Sequence, residues 1–536
     1  MNSGNEKPLA IDALPARTRR KALMDRLAEP HRYDVAVIGG GATGLGVALD
    51  AAARGFSVVL IESHDFAKGS SSRSTKLVHG GVRYLAQGNL ALVRQGLHER
   101  STLLANAPHL AQPLAFVMPA YKFWEKSLYG LGLKAYDALA GKDALGASRS
   151  LDAAATLQCL PTLQDRHLRG GIQYWDGQFD DARLALALAR TAARQGALLV
   201  NYCAATGLLH ENGKVSGVCV KDRETGHALE LHAQCVVNAT GVWVDGLRMH
   251  DAQATGGQAR PMVAPSQGVH VVVERDFLAA DQALLVPRTS DGRVLFAVPW
   301  LGKVILGTTD TPCQGLAREP LALRAEVDFI LRESARYLCR PPGLSDIKSL
   351  WVGLRPLLKP ADDEAKNTAS LSREHAVLIG QSGLVTVTGG KWTTYRAMAS
   401  DVLEKCVAAG LLAQRTGMPT DHLRLVGAQA SSVALSAPPG LHLYGSEAAA
   451  VQALPGAGRE LAPGLSEAMV RFAARHEYAR TVEDVLARRS RLLFLDAALA
   501  RAVAPAVAAL LQQENGMDAR LASFLALCDQ YLKVPD

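Results

Sequence analysis

Residues 74–85, STKLVHGGVRYL, place a lysine, a histidine, an arginine and two adjacent glycines within twelve positions of a largely apolar chain. Each type has its own chemistry. A histidine, with an unperturbed pKa of about 6.5, can take or give a proton near neutral pH. An arginine is a planar, permanent cation suited to gripping an anionic oxygen cluster. Paired glycines let a backbone run close to something flat or bulky. His79, Arg83, Gly80 and Gly81 are therefore the first candidates for a site, with Tyr84 as a lesser polar contact.

What positions them lies just before. Asp34 to Ile38 is an apolar run without helical spacing, and it ends at Gly39-Gly40-Gly41. That pattern predicts a buried parallel strand. Thr43 to Arg54 carries apolar residues at helical spacing and Gly55 stops it, while Ser57 to Glu62 reads as a second strand. Gly39-x-Gly41-x-x-Gly44 thus falls on a strand-to-helix turn, with Ala42 and Thr43 inside it and the acid Glu62 eighteen residues past Gly44. The glycines suit a tight turn, close approach to a pyrophosphate and close helix packing, while the helix N-terminus favours phosphate. Glu62, with Ser63 beside it, can accept hydrogen bonds from an adenosine ribose and disfavours a 2′-phosphate, which argues against NADP. Gly130 to Ala135 fits a loose version of the motif, but no strand precedes it and no acid-ended strand follows, so it is discarded.

At 536 residues, 48% hydrophobic and 20% charged, the composition is that of a globular enzyme of about three domains. The net charge of +7 suits an anionic substrate or a phospholipid surface. No basic run is interleaved with aromatics, so nucleic acid is not expected as a partner. Eight cysteines are scattered without a C-x-x-C, which points to reduced thiols and no metal site. No stretch of 18 apolar residues exists to span a bilayer. Residues 1–32 are basic without an apolar core, which reads as a frayed tail with a short surface helix.

The expected fold class is α/β, with a Rossmann-like domain formed by residues 33–110, 165–260 and 375–410. Short strand-like runs between 261 and 374 predict an antiparallel sheet which, with 111–164, makes an inserted second domain. Residues 411–536 are Ala- and Leu-rich with helical spacing, after a Pro/Gly-rich linker near 438–463. Within 118–142, aromatics mix with lysines, and Trp124, Leu128, Leu131, Ala135 and Leu139 share one helical face. That face could lie in a bilayer interface or pack on the protein's own core. Ala239-Thr240-Gly241 ends a further buried strand at a small-residue turn, and Gly389-Gly390 precedes another helix.

The ordered set IGGGATGLGVALDAAARG, SSSRSTKLVHGGVRYL, VVNATGVWVD, PWLGKVILGTTDTP, WVGLRPL and TGGKWTTYRAMA resembles the FAD-dependent, membrane-associated respiratory glycerol-3-phosphate dehydrogenases over roughly residues 33–530. The resemblance implies a glutathione-reductase-type FAD domain and oxidation of sn-glycerol 3-phosphate to dihydroxyacetone phosphate. It also implies a membrane quinone as acceptor, peripheral attachment to the inner face of the cytoplasmic membrane, and a possible homodimer. By resemblance, Arg83 and Arg355 face the substrate phosphate, and His270 and His79 rank nearly equally as the base. Lys391 would lie beside the flavin, where a cation stabilises the reduced ring. Ser71, Ser72, Thr75, Leu77, Gly390, Trp392 and Thr393 are expected to line the cofactor. Oxidation by oxygen, an amine- or imino-acid oxidase, and a flavin-bearing protein without turnover are the alternatives.

Overall fold

The computed structural model describes residues 18–81, 89–313, 315–359 and 374–535. Arg32–Ile38 is a strand, Ala42–Ala53 a helix and Val58–Ile61 a strand. The central residues Val35 and Val37 are fully buried, as a parallel strand covered on both faces requires. The first sheet runs His375–Ile379, Val385–Gly389, Ala228–Asn238, Arg32–Ile38, Val58–Ile61, Leu198–Val200. Its centre is parallel. Ala228–Asn238 is long enough to serve two purposes: its first half pairs antiparallel with Lys214–Asp222, its second half with the parallel core. Helices Asp181–Arg194 and Tyr395–Ala408 pack against Ala42–Ala53.

The second sheet is mainly antiparallel. Val263–Glu274 is flanked by Lys303–Gly307 and by Ser349–Leu358, and the sheet continues through Leu295–Trp300 and Ala283–Val286 to Ala111–Ala120. It takes in two strands from stretches that the sequence pattern assigns to the first domain. Gly170–Phe179 pairs with Ala111–Ala120 over its full length. Gly170–Phe179 therefore extends the second sheet, and the return to the first domain comes at helix Asp181–Arg194. That strand is buried on both faces, so it lacks the alternation that would have marked it. The same sheet takes in Leu77–Val78, which ties the opening stretch to it.

The C-terminal helices Glu467–His476, Ala497–Asn515 and Leu521–Leu532 are present as expected. The 438–463 stretch, however, is not a loose linker. It folds into short turns and a helix, with Leu443, Tyr444 and Val451 buried and Glu447 ion-paired to Arg190. The helix Arg20–Ala28 is more than a surface helix: Arg20 is buried and paired with Asp222 at 2.6 Å.

In the aromatic-lysine segment a strand ends at Ala120 and a helix runs Glu125–Ala140. Its buried side is Leu133, which joins the main core, and Tyr136 and Ala140, which pack with Val93 and Leu97. Trp124, Leu128 and Leu131 face outward, with Leu131 73% exposed and Phe123 beside them 82% exposed. Trp124, Leu128 and Leu131 of this face are thus exposed, while Leu139 packs on the protein's own core. Among the described residues no helix is long and apolar enough to cross a membrane.

Candidate active site

The glycine turn is built with no room to spare. Gly39 has φ 111°, a left-handed value that favours glycine. A Cβ on Gly44 would sit 1.9 Å from the Gly39 carbonyl oxygen, so the helix rests directly on the turn. The N-cap of that helix is Gly41, which has no side chain to offer its first turn. Ser71 Oγ accepts from the Ala42 N–H at 2.9 Å. Glu62 Oε2 accepts from the Gly40 N–H at 2.7 Å, and Oε1 from the His64 N–H at 2.9 Å.

A cavity of about 500 Å³ runs along this turn, past Glu62 and Ser63, under Ala239-Thr240-Gly241 and on to Gly390, Lys391 and Trp392. A shaped groove, a helix N-terminus without a capping side chain of its own, and an acid at the ribose position fit the dinucleotide of FAD. Gly39, Gly41, Ala42, Thr43 and Ser71 are in its wall, as the sequence predicts. Gly44 acts from beneath. Ser72, Thr75, Leu77, Gly80, Gly81 and Thr393 are not in the wall. Ser72 and Leu77 are buried, and Gly80 makes its close approach to the helix Leu90–Asn106, where it meets Leu97 and Gly96. Packing against Leu97 and Tyr136 is what requires residue 80 to lack a Cβ. Trp243, His250, Arg318 and Ala205–Gly207 line the cavity without having been singled out in the sequence.

His270 and Arg355 lie on adjacent strands of the second sheet, where Ser266 pairs with Arg355 and His270 with Trp351. Ser70 Oγ donates to the Leu354 carbonyl, and Pro356 is in the cofactor-cavity wall, so this strand abuts the cofactor site. Arg355 Nη1 is 3.2 Å from Asp310 Oδ1, and Nη2 donates to Thr308 Oγ1 at 3.1 Å. The guanidinium fits only because residue 268 is glycine; a Cβ there would be 2.2 Å from Nη2. His270 is held in a similar slot. Trp351 stacks on it with centroids 4.0 Å apart at 15°. On the other side Gly307 leaves the space, since a Cβ would come within 2.5 Å of the imidazole. Nε2 shares a hydrogen bond of 2.9 Å with Thr75 Oγ1. Burial, reinforced by Lys76 and Arg355, holds the pKa of His270 well below the usual imidazole value. The ring is therefore neutral at pH 7.

Lys76 sits beneath. It is fully buried, with Nζ 2.7 Å from Asp181 and 4.6 Å from the Trp351 ring centroid. Burial pushes its pKa down to about 7, against the opposing pull of Asp181. Asp181 also binds Arg491 at 3.1 Å. Arg488 and Arg489 close on Asp65 in the same buried belt. Sequence reasoning missed these groups; charges normally signal a solvated face, and their partners lie hundreds of residues apart.

His79 and Lys391 meet elsewhere. Both line a second cavity of about 440 Å³ with Gly390, Thr393 and His375. Lys391 and Gly390 also line the first cavity, so the two share a wall. Arg83 and Tyr84 lie outside the described residues.

Residues 34–396 match the family model of FAD dependent oxidoreductases, and 418–521 match the C-terminal domain of alpha-glycerophosphate oxidase. The chain is 40% identical to a probable mitochondrial glycerol-3-phosphate dehydrogenase of Caenorhabditis elegans, across 95% of this chain and 73% of that one. It is 40% identical to the mitochondrial glycerol-3-phosphate dehydrogenase of Rattus norvegicus, across 92% and 72%. Among solved structures it resembles the glycerol-3-phosphate dehydrogenase of Bacillus halodurans complexed with FAD, with TM-score 0.76 and 28% identity over 96% of this chain and 98% of that one. A shared family model and relatives at this identity over most of both chains leave one assignment: the protein belongs to the family of FAD-dependent glycerol-3-phosphate dehydrogenases.

Proposed function

We propose that the protein oxidises sn-glycerol 3-phosphate to dihydroxyacetone phosphate, with Arg355, joined by Arg83, holding the phosphate. The observation that carries this reading is the pairing of a partly open guanidinium with a buried neutral imidazole on neighbouring strands beside the cofactor cavity. A phosphate near its dianion form favours a planar, permanently charged donor. Bound FAD supplies the two-electron acceptor for the hydride on the substrate's secondary carbon. His270 is unprotonated across the neutral range, but burial and the neighbouring Lys76 and Arg355 disfavour a proton on its ring, so as base it would only pass the hydroxyl proton on, with His79 as the rival base. Thr75 orients His270 through Nε2. Lys391, in the wall of both cavities, places positive charge where negative charge accumulates on reduction.

The final acceptor in this reading is a membrane quinone, reached from a phospholipid surface. The outward Phe123, Trp124, Leu128 and Leu131 flanked by Lys122, Lys126 and Lys134 support peripheral attachment. Anaerobic glycerol 3-phosphate is expected to bleach the bound flavin, glycine and sarcosine to leave it oxidised, and a soluble quinone to restore the colour. Peroxide formed in air in step with substrate, with no quinone reduced, would replace the dehydrogenase by an oxidase. Co-sedimentation with anionic liposomes is expected to fall on changing Phe123 and Leu131 to Ser; unchanged binding would sink the membrane reading.

A further inference from the structure

Trp243 and Arg318 come from different parts of the chain and meet at the wall of the cofactor cavity. The Arg318 guanidinium carbon lies 3.9 Å from the Trp243 ring centroid. The other end of the indole rests on the opposite lip, where a Cβ on Gly69 would be 3.3 Å from it. The indole thus bridges from the loop after Glu62 to the segment around 318.

That segment is fixed at several points. Trp243 Nε1 donates to the Leu316 carbonyl at 3.0 Å, and Arg73 Nη1 donates to the Arg318 carbonyl at 2.9 Å. Glu319 binds Lys68 at 2.9 Å and Arg73 at 2.6 Å. Every other arginine or lysine in this stitching is ion-paired. The Arg318 side chain alone makes no hydrogen bond or ion pair among the described residues; its five N–H donors are left for something else. Burial lowers the pKa of Arg318 while Glu62, the acid at the ribose end, opposes it, and the Arg318 charge also reaches His64. Arg318 therefore belongs to the adenosine end of the cavity, away from Gly390 and Lys391.

We propose that Trp243 and Arg318 form a latch over the adenosine-diphosphate half of FAD, with the guanidinium donating to its anionic oxygens and the indole fixing the guanidinium plane. This rests on FAD as the occupant of the cavity. A guanidinium stacked on an aromatic face keeps its fork free for an anion and loses little freedom on binding one. The dinucleotide enters when the Arg318–Trp243 contact opens and is retained when it reforms.

The test is the rate at which the holoenzyme releases FAD, followed by recovery of flavin fluorescence. R318A and W243A are each expected to speed release by about ten- to a hundredfold, the effect of losing one charge-assisted hydrogen bond. The double variant should be no faster than the faster single one, because the two side chains act as a unit. R318K should be intermediate and W243F close to wild type. The visible spectrum of flavin still bound should not change, since the isoalloxazine end is untouched. Wild-type release rates in both single variants would overturn the latch. So would faster release accompanied by an altered flavin spectrum, which would mean that the whole cavity had collapsed. A wild-type protein that carries no flavin at all would instead overturn the cofactor assignment.

Discussion

The glycine turn and the arginine belt hold opposite sides of one loop, residues 62–76, by opposite means. At the turn, Gly39, Gly41 and Gly44 remove side chains so that backbone and a helix N-terminus face the cavity. At the belt, Arg488, Arg489 and Arg491 fill every space with charge answered by Asp65, Asp180 and Asp181. The turn is open to a ligand, while the belt is sealed. Arg491 Nη2 donates to the Ser72 carbonyl at 2.8 Å, one residue from the Ser71 that meets the turn. The C-terminal domain thus fixes the loop that shapes the cofactor cavity. Burial of so many ions adds little net stability, because desolvation offsets attraction. Its consequence is geometric: the loop has one position.

The largest effect should come from breaking the belt. Arg491→Met leaves Asp181 and Asp180 buried with only Lys76 and Arg183 as nearby cations, and about 3–5 kcal/mol of stability should be lost in urea unfolding. A loss under about 1 kcal/mol would put the belt on a par with surface pairs. Next comes the turn. Gly44→Ala drives a Cβ into the Gly39 carbonyl, costing about 1–3 kcal/mol by overpacking, and the purified protein should lose most of its flavin absorbance. Retained flavin would show that the helix can slide off the turn.

Acid separates buried ions from buried neutral imidazoles. Burial pushes His109 down to about 3 and His270 well below the usual range, with neighbouring cations adding to it. Unfolded histidines titrate near 6.5. Below that pH the unfolded chain binds protons that the folded one refuses, so stability falls as pH drops, by up to about 1.4 kcal/mol per unit for each residue. His109→Gln should flatten the profile between pH 6.5 and 4 by one such share; an unchanged slope would mean that His109 is protonated in the folded protein. The smallest effect should be at the Arg459–Glu467 pair, whose arginine is exposed, and Arg459→Ala should cost less than about 0.5 kcal/mol.

The difference between the two regions also governs what could be read from the chain. The turn shows in residue type, because only glycine fits where Gly39 and Gly44 stand, and the order strand, turn, helix, acid restricts the alternatives. The second sheet was legible where its strands alternate or follow turn residues, and not at Gly170–Phe179, buried on both faces. In the site, Arg355 and His270 stood out by type, but the slots that orient them did not. Gly268 and Gly307 look like ordinary strand glycines until the neighbouring side chains are placed. Nothing local marks Arg491 as buried, since its partner Asp181 is 310 residues away. The helix contact that Gly80 makes was equally hidden, because its partner Leu97 is not marked in the sequence.

The central claim is that Arg355 grips the substrate's phosphate while its carbon faces the bound flavin. Anaerobic stopped-flow reduction of the flavin by glycerol 3-phosphate, comparing wild type with Arg355→Met, tests it most directly. The substrate concentration for half-maximal reduction should rise about a hundredfold in the variant, while reduction by unphosphorylated glycerol, slow in both, should not change. Equal concentration dependence in the two proteins would contradict it.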